Sequence, residues 1–297
     1  NELSFEKIYR TVYTLVLMQK GPELYLHIES YLKKKLDSLK DDQFQEGIQG
    51  FELLKRLIAV WNSQCTCFKL LGDLMIYLDK VYCKSERKTE IYDLGLNIFK
   101  ERVIYSLSEF IDKSLIDDIN HERAQDTADS DHIYAWKSII GMMETLADEN
   151  DNYFLTHFEP VFLRNTTEFY QNAVNNQETS PIKYLEYMKN LRSFEFSLDE
   201  QFLNSDTVSK TTKALENVLI QNERFINIIP MLIRQAVNEN DVALLSNVYN
   251  LSSVNEFNLQ VIQCIEDCLE QDANSVIIDT NTKKKAQVAV EWTRAVI

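Results

Sequence analysis

Glycine and proline are scarce in this chain. It holds 6 Gly and 4 Pro in 297 residues, where an average protein carries roughly 12% of the two combined. Turns and irregular loops are therefore few, and no Asn-Gly or Asp-Gly pair offers a tight hairpin. Both shortages exclude a sheet-rich fold and point to long helices. Basic charge is short as well: 31 Lys and Arg stand against 46 Asp and Glu, for a net charge of −15. That balance argues against a nucleic-acid or anionic-membrane surface, which needs basic patches. Lys33-Lys34-Lys35 and Lys283-Lys284-Lys285 are too short to change it. The five cysteines are odd in number and lack the spacing of a disulfide framework, so a reduced, intracellular compartment is the simpler reading. No apolar run approaches the length of a membrane span. No signal peptide is visible, and a start at Asn1 rather than Met reads as an excised fragment of a longer protein.

The signatures of catalysis are missing too. No glycine-rich phosphate loop and no His-Glu-x-x-His occurs. His27, His121, His132 and His157 have no nucleophile close by in sequence. Cys65-x-Cys67 and Cys264-x₃-Cys268 could each be half of a zinc site, but no second closely spaced ligand pair accompanies either. They read as ordinary core or surface cysteines. No metal, no cofactor and no enzyme activity is expected of this chain.

What is present is helical periodicity. Helices are predicted over 4–20, 23–39, 44–62, 66–82, 91–123, 132–148, 153–175, 181–202 and 207–229. Pro230 should kink or end its helix. Residues 238–241 read as a loop, 244–248 and 257–269 as helical, and 278–285 as a polar loop before a last short helix. The first of these segments carries more apolar surface than one core face needs. Ser4 is placed to cap it with its hydroxyl, Glu6 puts negative charge at the positive end of the dipole, and Leu3 with Ile8 can form a hydrophobic staple. Phe5, Ile8, Val12 and Val16 form one stripe; Tyr9, Tyr13 and Leu17 widen it to one side and Leu15 to the other. The apolar arc then covers roughly 200°, where about 100° suffices for a surface helix. Such a helix lies deep in a bundle or shares its surface with a partner. From the residues alone, Tyr9, Tyr13 and Tyr77 read as tyrosines at the edge of a core.

The same segment carries a resemblance. Leu-Ser-Phe-Glu-Lys-Ile-Tyr-Arg (3–10), Tyr13, and Gly21 with Glu-Leu-Tyr (23–25) resemble the N-terminal domain of cullins, the scaffolds of multisubunit ubiquitin ligases. Trp61-Asn62, the stretches 74–82 and 91–99, Asn152-Tyr153, Phe158-Glu159 and Phe162-Leu163 agree in order and spacing. Within the family the likeness is to the cullin-3 class, which recruits BTB-domain adaptors. It is strongest over 1–105, clear to about 230 and thin beyond.

The resemblance implies an all-α fold: an elongated, right-handed stack of cullin repeats, each a five-helix bundle, here about two repeats with truncated ends. The implied divisions are 1–84, a first repeat lacking its opening helix; 85–229, a second repeat; and 230–297, the start of a third. No internal repeat is visible in the sequence itself. It implies a non-catalytic scaffold of an E3 ubiquitin ligase, found in the cytoplasm and nucleus. That scaffold binds a BTB-domain substrate adaptor and reaches a RING-box protein only through a C-terminal domain outside this chain. The adaptor-binding positions it implies are Leu3, Phe5, Glu6, Tyr9 and Tyr13 on one helix and Tyr77 and Lys80 on another, with Phe5 entering a pocket of the adaptor. Lys80 stands where related proteins have an arginine, which removes a planar, bidentate contact. A cullin of the Skp-type, F-box class and a helical tethering or trafficking subunit outside the family are the alternatives.

Overall fold

Leu54, Trp61, Phe68 and Met75 recur every seven residues, close to two helical turns, and all four are buried along one side of a single helix. The computed structural model describes residues 4–45, 47–125, 129–147, 151–175, 180–220, 223–239, 241–252, 262–263 and 266–267. Nearly all of these are helical and none lies in a strand, as the all-α expectation requires. Helices α1 (Phe5–Leu17), α2 (Gly21–Gln43) and α3 (Phe51–Leu78) come first. A π-helical turn, Asp79–Cys83, then leads into the short α4, Lys84–Glu86. Next, α5 (Ile91–Phe99) runs through a second π turn, Lys100–Ile104, into α6 (Tyr105–Ala124), and α7 is Ser130–Thr145. A third π turn, Phe154–Phe158, opens α8 (Glu159–Asn175). Then follow α9 (Pro181–Asp199), α10 (Ser205–Ile220), α11 (Glu223–Glu239) and α12 (Val242–Ser252). The chain divides by packing into two compact units, Asn1–Val161 and Phe162–Ile297. The repeat boundaries expected at 84/85 and 229/230 are a separate matter and stay a proposal.

In the first unit α3 is the axis. Helices α1, α5, α6 and α7 all pack along it, and α2 packs on α5 and the π turn that follows. Leu57, Leu78, Phe99, Ile111 and Trp136 are fully buried between them. The approach of α5 to α3 depends on Gly95, since a Cβ there would lie 2.7 Å from the ring of Phe68. Asp118 on α6 ties down α7 by accepting from Trp136 Nε1 at 2.7 Å, with His132 Nδ1 at 2.8 Å. His132 in turn stacks on Phe51, at the start of α3, with ring centroids 3.9 Å apart.

The second unit is built differently. Its apolar cluster includes Met188, Leu215, Leu232, Ile233 and Val248. Beside it runs a polar seam, in which each of three helices contributes two residues four apart. Thr166 and Tyr170 come from α8, Glu195 and Asp199 from α9, and Thr207 and Thr211 from α10, and all six are buried. The Tyr170 hydroxyl donates to the Glu195 carboxylate, and the Thr211 hydroxyl donates to that of Asp199.

Three expectations are corrected. The helices predicted at 44–62 and 66–82 are one, because Ser63-Gln64-Cys65 holds no breaker and the seven-residue burial pattern runs straight through it. That helix starts at Phe51, not Phe44: Gly47 and Gly50 have φ of +99° and +63°, which only glycine adopts readily. No helix ends at 229 as predicted, because Pro230 lies inside α11 without ending it. An interior proline costs about 3 kcal/mol, and burial of Ile229, Leu232, Ile233 and Ala236 around it offsets that cost. The segment predicted at 244–248 falls inside α12. The predictions for 257–269 and 278–297 lie almost wholly outside the described residues.

Candidate protein-docking face

The wide apolar arc of α1 divides in the folded chain. Val12 and Val16 are buried where α1 packs on α3, and Ile8 and Leu15 are half-buried beside them. Phe5 stays 54% exposed, Tyr13 41% and Leu17 58%. One helix therefore serves two surfaces. Ser4 takes the N-cap position with extended backbone, and its carbonyl accepts from the amides of Lys7 and Ile8 at 3.0 and 3.2 Å. Its hydroxyl makes no cap bond, so the backbone, not the side chain, opens the helix; this corrects the expected hydroxyl cap. Leu3, and with it the staple to Ile8, lies outside the described residues.

Tyr77 meets α1 from the other side. Its ring lies 4.5 Å from that of Tyr13, tilted by 49°. This contact brings the two halves of the expected site together. Tyr9, one turn before Tyr13, is half-buried, as is Tyr77, while Glu6 and Lys80 are exposed. Glu6 pairs with Arg10 one turn along at 2.6 Å. Both side chains are largely solvated, so the pair orders the helix surface without adding much stability. Lys80 sits in the π turn that continues α3 beyond Tyr77.

Periodicity missed two features of this edge. Val81, at helical spacing from the buried Leu78, is 42% exposed. The π turn adds about one residue to the helical turn, which swings the residues after it by roughly 100° relative to an unbroken α-helix. Met18, just past the end of α1, is also exposed. A π turn leaves no mark in composition, so the sequence carries no signal for the turning-out of Val81.

The arrangement holds no nucleophile paired with a base. It offers an apolar ledge formed by Phe5, Tyr13 and Tyr77, flanked by a carboxylate, a guanidinium and an ammonium group. Rigid aromatic anchors inside a polar rim are the composition of a protein-binding hot spot.

Comparison with known proteins gives matches along the whole chain. A family model described as the cullin alpha solenoid domain matches residues 1–297. The chain is similar to Cullin-3 of Saccharomyces cerevisiae, 39% identical over 296 residues, covering 100% of this chain and 40% of that protein. It is similar to Cullin-3A of Arabidopsis thaliana, 26% identical over 230 residues, covering 74% of this chain and 30% of that one. It is also similar to Cullin-3 of Dictyostelium discoideum, 23% identical over 293 residues, covering 96% of this chain and 38% of that one. The chain thus spans two fifths or less of the length of these relatives.

Proposed function

The chain belongs to the cullin family, and from that premise we propose that it is the adaptor-binding arm of an E3 ubiquitin-ligase scaffold. Its partner is a BTB-domain substrate adaptor. The docking residues are Phe5, Glu6, Tyr9, Tyr13, Tyr77 and Lys80, with Leu3 as a further contact. The observation that carries the reading is the Tyr13–Tyr77 ring contact at 4.5 Å on a surface where Phe5 stays exposed. Large rings held rigidly at a surface lose little entropy on binding and gain much from desolvation.

The mechanism is positional. The arm performs no chemistry; it holds the adaptor, and through it the substrate, close to a ubiquitin-charged enzyme. A RING-box protein recruits that enzyme through a C-terminal domain outside this chain. Rate is gained because a bimolecular encounter becomes a local one with restricted orientation. The work takes place in the cytoplasm and nucleus, where the substrates of such ligases reside.

Titration calorimetry with two purified adaptors tests the assignment. A BTB-domain protein from the source organism binds the chain and a Skp-type protein does not. Binding to the Skp-type protein alone moves the chain to another adaptor class.

A further inference from the structure

Asp79 lies two residues beyond Tyr77, at the start of the π-helical turn that continues α3. Its carboxylate reaches across to the next helix instead of to the docking edge. Oδ1 accepts the backbone amide of Ile91 at 3.0 Å. Ile91 is the first residue of α5, and Glu90 at the N-cap position makes no cap bond with its own side chain. Asp79 therefore caps α5 from another helix, satisfying a backbone donor that α5 cannot satisfy itself. The same carboxylate is hydrogen-bonded to the Cys83 thiol at the end of the turn. Cys83 is 1% exposed. Burial, with Asp79 beside it, pushes the thiol up to about 12, so it keeps its proton and acts as the donor.

The inner side of this turn is anchored at further points. A Cβ on Gly21 would stand 3.0 Å from Cβ of Tyr82, so α2 and the turn are in close contact. The rings of Tyr82 and Tyr25 lie 5.8 Å apart, and the Tyr25 hydroxyl donates to the carbonyl of Thr89 at 3.1 Å. Lys80 and Val81 occupy the outer side and are exposed. A wide π turn is a departure from the regular ladder that needs holding. Asp79 bonds both the end of the turn and the element after it.

On the footing that α1 and α3 dock an adaptor, we propose that Asp79 is a positioning residue of the docking face: by bonding Ile91 and Cys83 it holds the π turn open and sets the direction in which Lys80 leaves α3. Asp79 itself touches no partner. Without it the turn loses its tie to α5, and Lys80 no longer stands beside Tyr77 at a fixed angle.

The test is a double-mutant cycle on the 297-residue chain, read by calorimetry against a purified BTB-domain protein that binds the unchanged chain. Asp79→Ala is expected to weaken binding about fivefold, the size of a moderate interface contact. Asp79→Asn keeps an oxygen to accept from Ile91 and is expected to stay within about twofold. On a Lys80→Ala background, Asp79→Ala adds no further loss, because the residue it positions is gone. Should Asp79→Ala fail to fold, Asp79→Glu displaces the carboxylate by one methylene and is carried through the same cycle. Equal losses with and without Lys80 make Asp79 an ordinary structural residue and overturn the proposal. So does unchanged affinity in Asp79→Ala while Tyr13→Ala weakens binding. If Tyr13→Ala also binds normally, the docking reading has failed and this inference falls with it.

Discussion

On the outer edge of α1, Phe5 is 54% exposed and Tyr13 41%, while in the second unit Glu195 and Asp199 are each 1% exposed. Rings face water in one region and carboxylates are buried in the other. The two departures from ordinary burial have different physical settings. Each seam carboxylate accepts a hydroxyl from a neighbouring helix, which offsets part of its cost of burial inside the fold. Phe5 and Tyr13 keep about half of their surface in water, Tyr13 with the ring of Tyr77 beside it, so desolvation on binding remains available as a driving force. A misplaced polar group that is satisfied points inward, to specification of how α8, α9 and α10 register. A misplaced apolar group that is unsatisfied points outward, to a partner.

The largest effect expected from breaking this contrast lies in the seam. Glu195→Ala removes a buried hydrogen bond and opens a cavity, for a loss of about 3 kcal/mol. Glu195→Gln keeps the shape and an acceptor and costs about 1 kcal/mol. Urea unfolding of both variants checks the pair; an unaffected Glu195→Ala means that the seam does not hold the second unit together. Next comes Gly95→Ala in the first unit, where the added methyl meets the face of Phe68 at 2.7 Å. Overpacking of that kind costs about 1–3 kcal/mol, and thermal melting reads it directly.

Asp112 on α6 sharpens the comparison, because it is a half-buried carboxylate of the first unit. Its Oδ1 has no hydrogen-bond partner. Burial raises its pKa to about 6, with the nearby Tyr153 pulling the other way. The folded value lies above the unfolded one near 3.9, so the native state binds the extra proton between the two. Stability from this group is therefore greatest at low pH and falls as pH rises from about 4 through about 6. Asp112→Asn should stabilise the chain by about 1 kcal/mol at pH 7, after discounting for partial solvation, and by nothing at pH 4. Melting curves at the two pH values decide it; equal shifts at both remove the carboxylate's titration as the cause.

Much of this was legible in the sequence, for reasons that differ by element. Scarce glycine and proline announced the helices, since little else in the chain could interrupt them. Tallying apolar stripes without weighing breakers misplaced the start of α3, where Gly47 and Gly50 were the better guide, and split it at a polar triplet that holds no breaker. Nothing in the sequence marks Glu195 and Asp199 as buried, because a carboxylate on a helix usually faces solvent. Only the partners supplied by neighbouring helices distinguish the seam from that. The double role of α1 was visible in its arc alone. The pairing of Tyr13 with Tyr77 was not, because periodicity places a residue on its own helix and says nothing of what stands opposite; the family resemblance put both on one face without pairing them.

The smallest expected change in stability belongs to the docking face, and it bears the central claim. Tyr13→Ala and Tyr9→Ala, with Val12→Ala and Ile8→Ala as controls, should be measured for both melting and binding to the BTB-domain protein. The account predicts that each tyrosine variant weakens binding by about 1–3 kcal/mol while losing no more than about 0.5 kcal/mol of stability. Val12→Ala should show the reverse, and the half-buried Ile8→Ala a weaker form of it. Large thermal losses for both tyrosines, with affinity unchanged in the folded fraction, would contradict the docking face and return these rings to the core.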